Sequence, residues 1–257
     1  MHVDAHGMAT MVTSRAKRII FPASVGIRRK ESKITRRAIT SDLYGALVDT
    51  TPFSRELEAI AHENGADPRT VVDTYLTNEA RVSYAKPFRV LDDQIAETPK
   101  RCDVAMATSF MTGQFDRLWE VQKRFPAWPD TVPALRDLKE HGYELHVMSN
   151  SCHQIIESHM AELDNLIDDY LLADDVKAYK PQHPFFSSAE EKFNPKGPGT
   201  FHCHVAQGCF WDIIPACHFG WNKIWINRFG ERGLDDQRPY GELPTLEHIR
   251  EELEKLQ

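Results

Sequence analysis

Short apolar runs that alternate with helix-like segments are the feature of this sequence that most restricts its fold. Strand-like runs lie within residues 37–50, where a turn follows, and near residues 143–148, 170–173, 202–206 and 223–227. In the segments between them apolar residues recur at helical spacing, as Val132, Leu135 and Leu138 do. Strands that alternate with helices form a parallel sheet covered on both faces. The sequence therefore predicts an α/β fold with a Rossmann-like parallel sheet core.

Polar residues stand where several of these strands end. Asp42 follows the first strand, beside the turn residue Gly45. Ser149 and Asn150 follow the second strand, and Lys180 lies in the loop after the third. Ligands of open α/β sheets bind at the carboxyl ends of the strands. A charge at a buried strand end is costly unless it is paired or used, so Asp42 is a nucleophile, a metal ligand or a turn-forming residue.

A long helical stretch interrupts the alternation after the first strand. Apolar residues at helical spacing continue to about residue 125, and the Pro-rich segment 126–130 ends the stretch. We therefore predict a helical cap domain at residues 52–126, inserted into an α/β core made of residues 38–51 and 127–257. Residues 1–37 are predicted to be a basic, disordered N-terminal extension.

Charge is distributed unevenly along the 257 residues, whose formal net charge is −7. Residues 1–37 hold nine Lys or Arg and two Asp or Glu, which leaves the rest of the chain at about −14. A body this acidic is a poor binder of nucleic acid, because phosphates favour positive surfaces. No apolar run approaches the roughly 18 residues of a membrane helix. We expect neither a nucleic-acid partner nor a membrane.

Cysteine and histidine usage gives expectations about compartment and metal binding. The cysteine count of five is odd, and no secretory signal accompanies it, so a reducing, cytoplasmic location is predicted. A mitochondrial location is the alternative, because the first residues are rich in Arg and poor in acid. His202, Cys203 and His204 suggest zinc, but their spacing matches no zinc motif, and the two histidines are expected to share one strand face.

Four motifs resemble those of the haloacid dehalogenase (HAD) superfamily, in its type II (S)-2-haloacid dehalogenase branch. They are Asp-Leu-Tyr-Gly at 42–45, Val-Met-Ser-Asn at 147–150, Val-Lys-Ala-Tyr-Lys-Pro at 176–181, and Phe-Trp-Asp at 210–212 followed by Trp-Ile-Asn-Arg at 225–228. They occur in the family's order and cover roughly residues 38–230. The resemblance implies the HAD fold, with the helical cap where that family has one.

The resemblance also implies roles for individual residues. Asp42 is the implied nucleophile, which forms a covalent ester. Lys180 holds Asp42 ionised, since a nearby cation lowers the pKa of a carboxyl group. Asp212 positions or deprotonates the water that hydrolyses the ester. Tyr44, Ser149 and Asn150 contact the nucleophile or substrate, and Arg81 is a loose candidate for the cap arginine that receives the halide.

Tyr44 distinguishes between two chemistries within the superfamily. Phosphatase members usually carry a second Asp at this position, which protonates a leaving alcohol, whereas a halide leaves as an anion. The leading hypothesis is therefore a hydrolase that displaces halide from a short 2-halocarboxylate, a small anionic substrate, without a cofactor and possibly as a homodimer. The alternative is a Mg-dependent phosphatase acting on a small phosphomonoester, with Asp42 and Asp212 as metal ligands.

Two departures from the family pattern leave a third hypothesis open. Ala46 stands where the family has Thr or Ser, so a hydroxyl that supports the nucleophile's loop is missing. Gln207, Gly208 and Cys209 replace the Ser-Ser-Asn segment before the last Asp of the site. A catalytically degraded HAD-fold binding protein would accumulate such changes.

Overall fold

The computed structural model describes residues 33–233, 238 and 240–257. Most of the predicted N-terminal extension, residues 1–32, lies outside the described residues. The described part contains a six-stranded sheet in which every neighbouring pair is parallel, in the order β3-β2-β1-β4-β5-β6. The strands are β1 (Arg36–Ser41), β2 (Tyr143–Ser149), β3 (Asp169–Leu172), β4 (Thr200–Ala206), β5 (Asn222–Ile226) and β6 (Gly241–Leu243).

The helices fall into two groups along the chain. Four of them follow one another between β1 and residue 126: α1 (Thr51–Glu63), α2 (Pro68–Ser83), α3 (Leu91–Met106) and α4 (Phe115–Gln122). The others alternate with the strands: α5 (Thr131–Glu140), α6 (Ile156–Glu162), α7 (Ala173–Val176), α8 (His183–Phe193), a π-helix (Cys209–Ile213), α9 (Ile214–His218) and α10 (Ile249–Lys255).

Strand β1 occupies the centre of the sheet, and its position explains its composition. It pairs with β2 on one side and β4 on the other, with Ile39 level with Leu145 and Cys203. Both faces of a central parallel strand are covered, so its residues are buried even where, as at Thr40 and Ser41, they are polar. Residues 38–41 are accordingly all buried. The register brings the carboxyl ends of β1, β2 and β4 to one edge of the sheet.

Helices α1 to α4, residues 51–122, form the helical insert. They share a hydrophobic cluster in which Leu57, Ile60, Tyr75 and Ile95 are almost completely buried, and which also includes Cys152 and Ile155 after β2. The start of α2 is fixed by Asp67, whose side chain accepts a hydrogen bond of 2.8 Å from the Thr70 amide, a strong N-terminal cap. That the insert is a cap domain with boundaries 52–126 stays a proposal.

The structure adds elements that the sequence did not predict. Strand β6 has three residues and begins at a glycine, too short a run to show strand periodicity. The segment between β4 and β5 begins as the π-helix Cys209–Ile213 and continues as α9. A π-helix is rare and often marks a functional site. In the part of the chain that the structure describes, no helix is both long and apolar enough to cross a membrane.

Candidate active site

Asp42 lies at the end of β1, where a tight turn begins. Its backbone N–H donates a hydrogen bond of 3.0 Å to the Val205 carbonyl of β4. Gly45 follows with φ of +84°, a left-handed conformation that glycine adopts without strain. A Cβ at Gly45 would also lie 3.0 Å from Oε1 of Gln207. The Asp-Leu-Tyr-Gly motif therefore needs its glycine both for the turn and for the close approach of Gln207.

Arg228 supports the turn after Asp42 at Ala46, the position that the sequence analysis noted for its missing hydroxyl. The carbonyl of Ala46 accepts a hydrogen bond of 2.9 Å from Nη2 of Arg228. Arg228 is held in turn by a bidentate pair with Asp130, with distances of 3.0 and 2.9 Å. Both side chains are largely buried, which favours a fixed geometry. An arginine thus supports the loop that carries Ala46.

Lys180 joins the carboxylates of the site. Its ammonium donates hydrogen bonds of 2.7 Å to Oδ1 of Asp42, 2.7 Å to Oδ1 of Asp212 and 2.8 Å to the Met148 carbonyl. A lysine has three N–H donors, so all of them are used. The side chain of Lys180 is 1% exposed, and a buried charge needs such partners. The predicted trio of Asp42, Lys180 and Asp212 is brought together at one edge of the sheet.

Asn150 fixes the backbone of Lys180. Its Oδ1 accepts a hydrogen bond of 2.7 Å from the Lys180 amide, and its Nδ2 donates one of 3.3 Å to the Lys180 carbonyl. Tyr84 of the helical insert donates a further hydrogen bond of 2.8 Å to that carbonyl. Asn150 also lines the cavity described below.

Ser149 is fully buried at the end of β2. Its hydroxyl oxygen accepts a hydrogen bond of 3.2 Å from the Ser151 amide. It is not among the residues that line the cavity described below, whereas Asn150, which lies beyond the strand end, is. The Ser149 hydroxyl therefore supports the turn after β2, and its contact with the nucleophile or a substrate stays a prediction.

Asp212 has a second donor that sequence reasoning missed. Its Oδ1 lies 3.0 Å from Nε2 of His204, and Nδ1 of His204 lies 2.8 Å from the Thr40 hydroxyl. That hydroxyl is 2.9 Å from Nε2 of His202. Since a carboxylate only accepts, His204 must donate from Nε2. His202 and His204 share one strand face, as the alternation predicted. Thr40, which pairs with His204 in the neighbouring strand, links the two histidines.

The other oxygen of Asp212 is not engaged. Oδ2 is buried and has no hydrogen-bond partner within the described residues. Gly208 is required beside it, because a Cβ there would lie 3.0 Å from this oxygen and 2.8 Å from Trp211. The altered segment at 207–209 therefore starts the π-helix that carries Asp212, and does not leave the site open. An unpaired carboxylate oxygen can accept a proton or a hydrogen bond from water.

Burial and neighbouring charges act in opposite directions on the pKa values of Asp42, Asp212 and Lys180. Burial raises the pKa of Asp42 to about 7, although Lys180 opposes the shift. Burial also acts to raise the pKa of Asp212, but Lys180 and His204 outweigh it and hold that pKa below its usual range. Burial lowers the pKa of Lys180, but the two carboxylates outweigh it and the net shift is upward. Asp212 and Lys180 are therefore charged near neutral pH, and Asp42 is the group that titrates there.

A cavity of about 460 Å³ opens above these groups, between the sheet edge and the helical insert. Tyr44 lines it, and its hydroxyl donates a hydrogen bond of 2.8 Å to Ser151. Burial raises the pKa of Tyr44, so the phenol stays neutral. The other lining residues that matter below are Asp42, Lys180, Asp212, Gln207 and Trp211 on the sheet side, and Phe53, Leu76, Glu79, Ser83 and Tyr84 on the insert side.

Arg81, predicted as a substrate-binding residue, does not line the cavity. It is exposed on α2, whereas Leu76, Glu79 and Ser83 of the same helix face the cavity. Residues three or four apart share a helix face, and Arg81 lies off that face. The insert places Glu79 at the cavity instead. Burial raises the pKa of this carboxyl to about 7.

Asp42 and Asp212 are also the Mg²⁺ ligands of the phosphatase hypothesis, and that role stays a prediction. Mg²⁺ prefers an octahedral set of oxygen ligands. Here Oδ1 of Asp42 and Oδ1 of Asp212 are both occupied by the Lys180 ammonium. Among residues 33–233, 238 and 240–257, no group of three His, Cys, Asp or Glu side chains is placed to hold a metal ion. The ammonium contacts one oxygen of each carboxylate, and Oδ2 of Asp212 keeps no partner within the described residues.

Comparison with known proteins identifies the family to which this chain belongs. Residues 36–201 match the family model of haloacid dehalogenase-like hydrolases. The chain belongs to this family. It is 29% identical to (S)-2-haloacid dehalogenase 4A of Burkholderia cepacia over 205 residues, which cover 76% of this chain and 84% of that protein. It is also 29% identical to haloacetate dehalogenase H-2 of Moraxella sp., over 75% of this chain and 86% of that protein.

Solved structures of dehalogenases have the same fold as this chain. A dehalogenase structure superimposes with a TM-score of 0.71 at 24% identity and covers 84% of this chain and 96% of its own. The L-2-haloacid dehalogenase of Xanthobacter autotrophicus, solved with chloropropionic acid covalently bound, gives a TM-score of 0.69 at 13% identity, over 86% and 100% of the two chains. At these identities the superposition supports the fold.

Three predictions are confirmed by these findings. They are the parallel α/β fold of the HAD type, the similarity to the type II haloacid dehalogenase branch, and the hydrolase class of the protein. The hypothesis of a catalytically degraded binding protein is left to the activity assays described below. The roles of individual residues, the need for a cofactor, the oligomeric state and the cellular location stay predictions.

Proposed function

We propose that this hydrolase is a dehalogenase that displaces halide from C2 of a short 2-halo acid or acid derivative. The observation that carries the proposal is the pairing of Asp42 and Asp212 through Lys180, 2.7 Å from each, at the floor of the cavity. One carboxylate borders the cavity as a nucleophile, and the other keeps an oxygen free for water.

The first step is a substitution at carbon. A carboxylate oxygen of Asp42 attacks C2 of the substrate, the carbon–halogen bond breaks, and the halide leaves with the bonding electrons. Lys180 engages Oδ1, so Oδ2 is the oxygen available for attack. No proton is transferred in this step. That agrees with the neutral phenol of Tyr44 at the position where phosphatases carry an acid.

The second step hydrolyses the ester on Asp42. Asp212 takes a proton from water through Oδ2 while the water oxygen attacks the carboxyl carbon of residue 42. The bond between the carboxyl carbon of residue 42 and the ester oxygen, the former Oδ2, breaks, and Asp212 gives its proton to that oxygen, which becomes the hydroxyl of the 2-hydroxy product. The water oxygen stays in the Asp42 carboxyl group, and the second proton of the water is released to solvent, which restores the Asp42 carboxylate. Lys180 and His204 hold the opposite oxygen of Asp212 and keep its orientation fixed.

Two measurements test this proposal. Halide release from racemic 2-chloropropionate and from 2-chloropropionamide is followed by ion chromatography, with and without EDTA. We expect release from at least one substrate, unchanged by EDTA. In H₂¹⁸O, the label should enter the carboxyl group of Asp42, where mass spectrometry of the peptide detects it. Label that appears in the product of a single turnover and not in Asp42 would exclude the ester.

The phosphatase alternative gives a different outcome in the same assays. Hydrolysis of p-nitrophenyl phosphate that requires Mg²⁺, together with no halide release from either chloro compound, would replace the proposed function.

A further inference from the structure

Thr40 is a polar residue at the centre of the sheet that takes no part in the two proposed steps. It lies on β1, level with His204 of the neighbouring strand β4. His202 is two residues earlier on β4 and therefore on the same face of the sheet. Thr40 is 1% exposed, and both histidines are buried as well. A hydroxyl group buried in the middle of a sheet is costly unless hydrogen bonds satisfy it.

The hydrogen bonds around Thr40 have one consistent direction. Nε2 of His204 donates to Oδ1 of Asp212, 3.0 Å away, so in the neutral ring Nδ1 is the acceptor. The Thr40 hydroxyl, 2.8 Å from that Nδ1, donates its single proton to it. The Thr40 oxygen then accepts from Nε2 of His202, 2.9 Å away. The network therefore runs from His202 through Thr40 and His204 to Asp212.

The rings packed against His204 offer no substitute for the Thr40 hydroxyl. Phe186 and Trp221 lie edge-on to the imidazole, with ring centroids 6.4 and 5.9 Å away. Phe186 has no polar side-chain atom, and the indole N–H of Trp221 donates to Glu190. Without the hydroxyl, Nδ1 of His204 would be a buried acceptor that loses its donor, which is unfavourable. The ring would then be free to tilt.

We propose that the Thr40 hydroxyl is a positioning group for the second step, because it fixes the ring of His204 and, through that ring, the carboxylate of Asp212. The inference rests on the proposed function, in which Oδ2 of Asp212 takes a proton from water. Lys180 and His204 both hold Oδ1, so the direction of Oδ2 follows from theirs. A tilted His204 would let the carboxylate rotate away from the water. Thr40 does not line the cavity, so its effect on the reaction passes through His204.

The test is a double-mutant cycle between Thr40 and His204, measured by rapid quench with the chloro compound that the wild type turns over. The burst of halide reports the first step, and decay of the ester on the protein reports the second. Thr40→Val keeps the shape of the side chain and should slow ester decay by about three- to fivefold without changing the burst rate. Added to His204→Leu, it should cause no further loss, because its effect requires the His204 ring. Thr40→Ser, which keeps the hydroxyl, should retain the wild-type rate.

Thr98→Val is the matched control for the loss of a buried hydroxyl. Thr98 of α3 is fully buried, its hydroxyl has no hydrogen-bond partner within the described residues, and it does not line the cavity. Both steps should keep their wild-type rates in this variant.

NMR of protein labelled with ¹⁵N at histidine tests the direction of the network without any substrate. The signals of His204 are assigned by their loss in His204→Leu. In the wild type, Nε2 of His204 should carry a proton and Nδ1 should carry none. Thr40→Val should shift the Nδ1 signal, because that nitrogen loses its donor. The wild-type spectrum also keeps the inference testable if Thr40→Val does not fold.

The outcomes separate this inference from the proposed function. An equal loss from Thr40→Val in the wild-type and His204→Leu backgrounds would overturn the inference, because Thr40 would then act without His204. A slower first step, a Thr40→Ser variant as slow as Thr40→Val, or a proton on Nδ1 of His204 would overturn it too. In each of these cases halide release by the wild type leaves the dehalogenase function standing. No halide release from either chloro compound would instead overturn the function, and with it the second step that Thr40 assists.

Discussion

The two walls of the cavity differ in how their charges are satisfied. On the sheet side, Asp42 and Asp212 share the three-donor ammonium of Lys180, and His204 adds a further hydrogen bond to Asp212. On the insert side, Glu79 has no partner within the described residues, and its neighbours include the hydrophobic Phe53 and Leu76.

This difference separates the groups that react from a group that affects stability. The sheet side is built on strand ends held in register by backbone hydrogen bonds, so its reacting groups are fixed before any substrate arrives. The insert side holds one partly buried carboxylate without a protein partner within the described residues, and its burial costs stability when it is ionised. We therefore expect changes on the sheet side to reduce turnover, and a change of Glu79 to alter stability.

Removal of the nucleophile should have the largest effect. Asp42→Asn keeps the shape of the side chain but removes the attacking carboxylate, and kcat/KM for halide release should fall by about 10⁴-fold or more. Asp93→Asn, at an exposed position of α3, is the matched control and should retain full activity. Turnover that survives in both Asp42→Asn and Asp42→Ala would show that Asp42 is not the nucleophile.

Loss of the shared ammonium should be the next largest effect. Lys180→Met leaves two buried carboxylates without a cation, so kcat/KM near neutral pH should fall by about 10²- to 10³-fold and the protein should lose about 3 kcal/mol of stability. The pKa of Asp42, already raised to about 7, should rise further because Lys180 opposes the shift.

The pH profile distinguishes this effect from simple unfolding. In the wild type, activity should fall as the pH drops below about 7, because the attacking carboxylate gains a proton. In folded Lys180→Met the fall should begin at higher pH. Lys100→Met, at an exposed lysine of α3, serves as the control. A folded Lys180→Met variant with an unshifted pH profile would contradict the effect of Lys180 on the pKa of Asp42.

The sheet side was also the part that the sequence predicted best. Strand periodicity and the position of Asp42, Asn150 and Lys180 after successive strands were enough, because parallel strands bring their carboxyl ends to one edge. Ser149 was predicted beside Asn150, but a strand's last residue and the next one point in different directions. That difference depends on where β2 ends, which sequence periodicity does not resolve to one residue.

The insert side could not be predicted in the same way. Arg81 was chosen for its charge and its approximate distance from Asp42, but the face that a helical residue presents depends on how the whole helix packs. Glu79 gave no signal, because one acidic residue in an amphipathic helix looks like any solvated position. The π-helix that carries Asp212 likewise has no periodicity of its own at five residues.

A smaller effect is expected from the hydrogen bond behind Asp212. His204→Leu removes the donor 3.0 Å from Oδ1 of Asp212 and loosens the orientation of the carboxylate, so the second step should slow by about tenfold. His204 acts through Asp212, and so is a positioning residue. Slower hydrolysis should make the ester on Asp42 accumulate during turnover, visible by mass spectrometry of the intact protein. His204→Gln, which restores an N–H donor, should recover part of the rate. A slower enzyme without accumulated ester would instead assign His204 to the first step or to packing.

The smallest effect concerns stability and needs no substrate. Burial raises the pKa of Glu79 to about 7, from an ordinary value of 4.5, so the folded state binds this proton more tightly than the unfolded state does. The carboxyl group therefore costs no stability below about pH 4.5, an increasing amount as the pH rises from 4.5 to about 7, and its full cost above that. Glu79→Gln should be more stable than the wild type by about 1 kcal/mol near pH 8.5, an amount reduced by the solvent that reaches the open cavity, and equally stable near pH 4.5. Urea unfolding of Glu79→Gln and the exposed control Glu58→Gln at both pH values measures this difference. A gain that is equal at both pH values would mean that the amide packs better and that the charge of Glu79 is already satisfied.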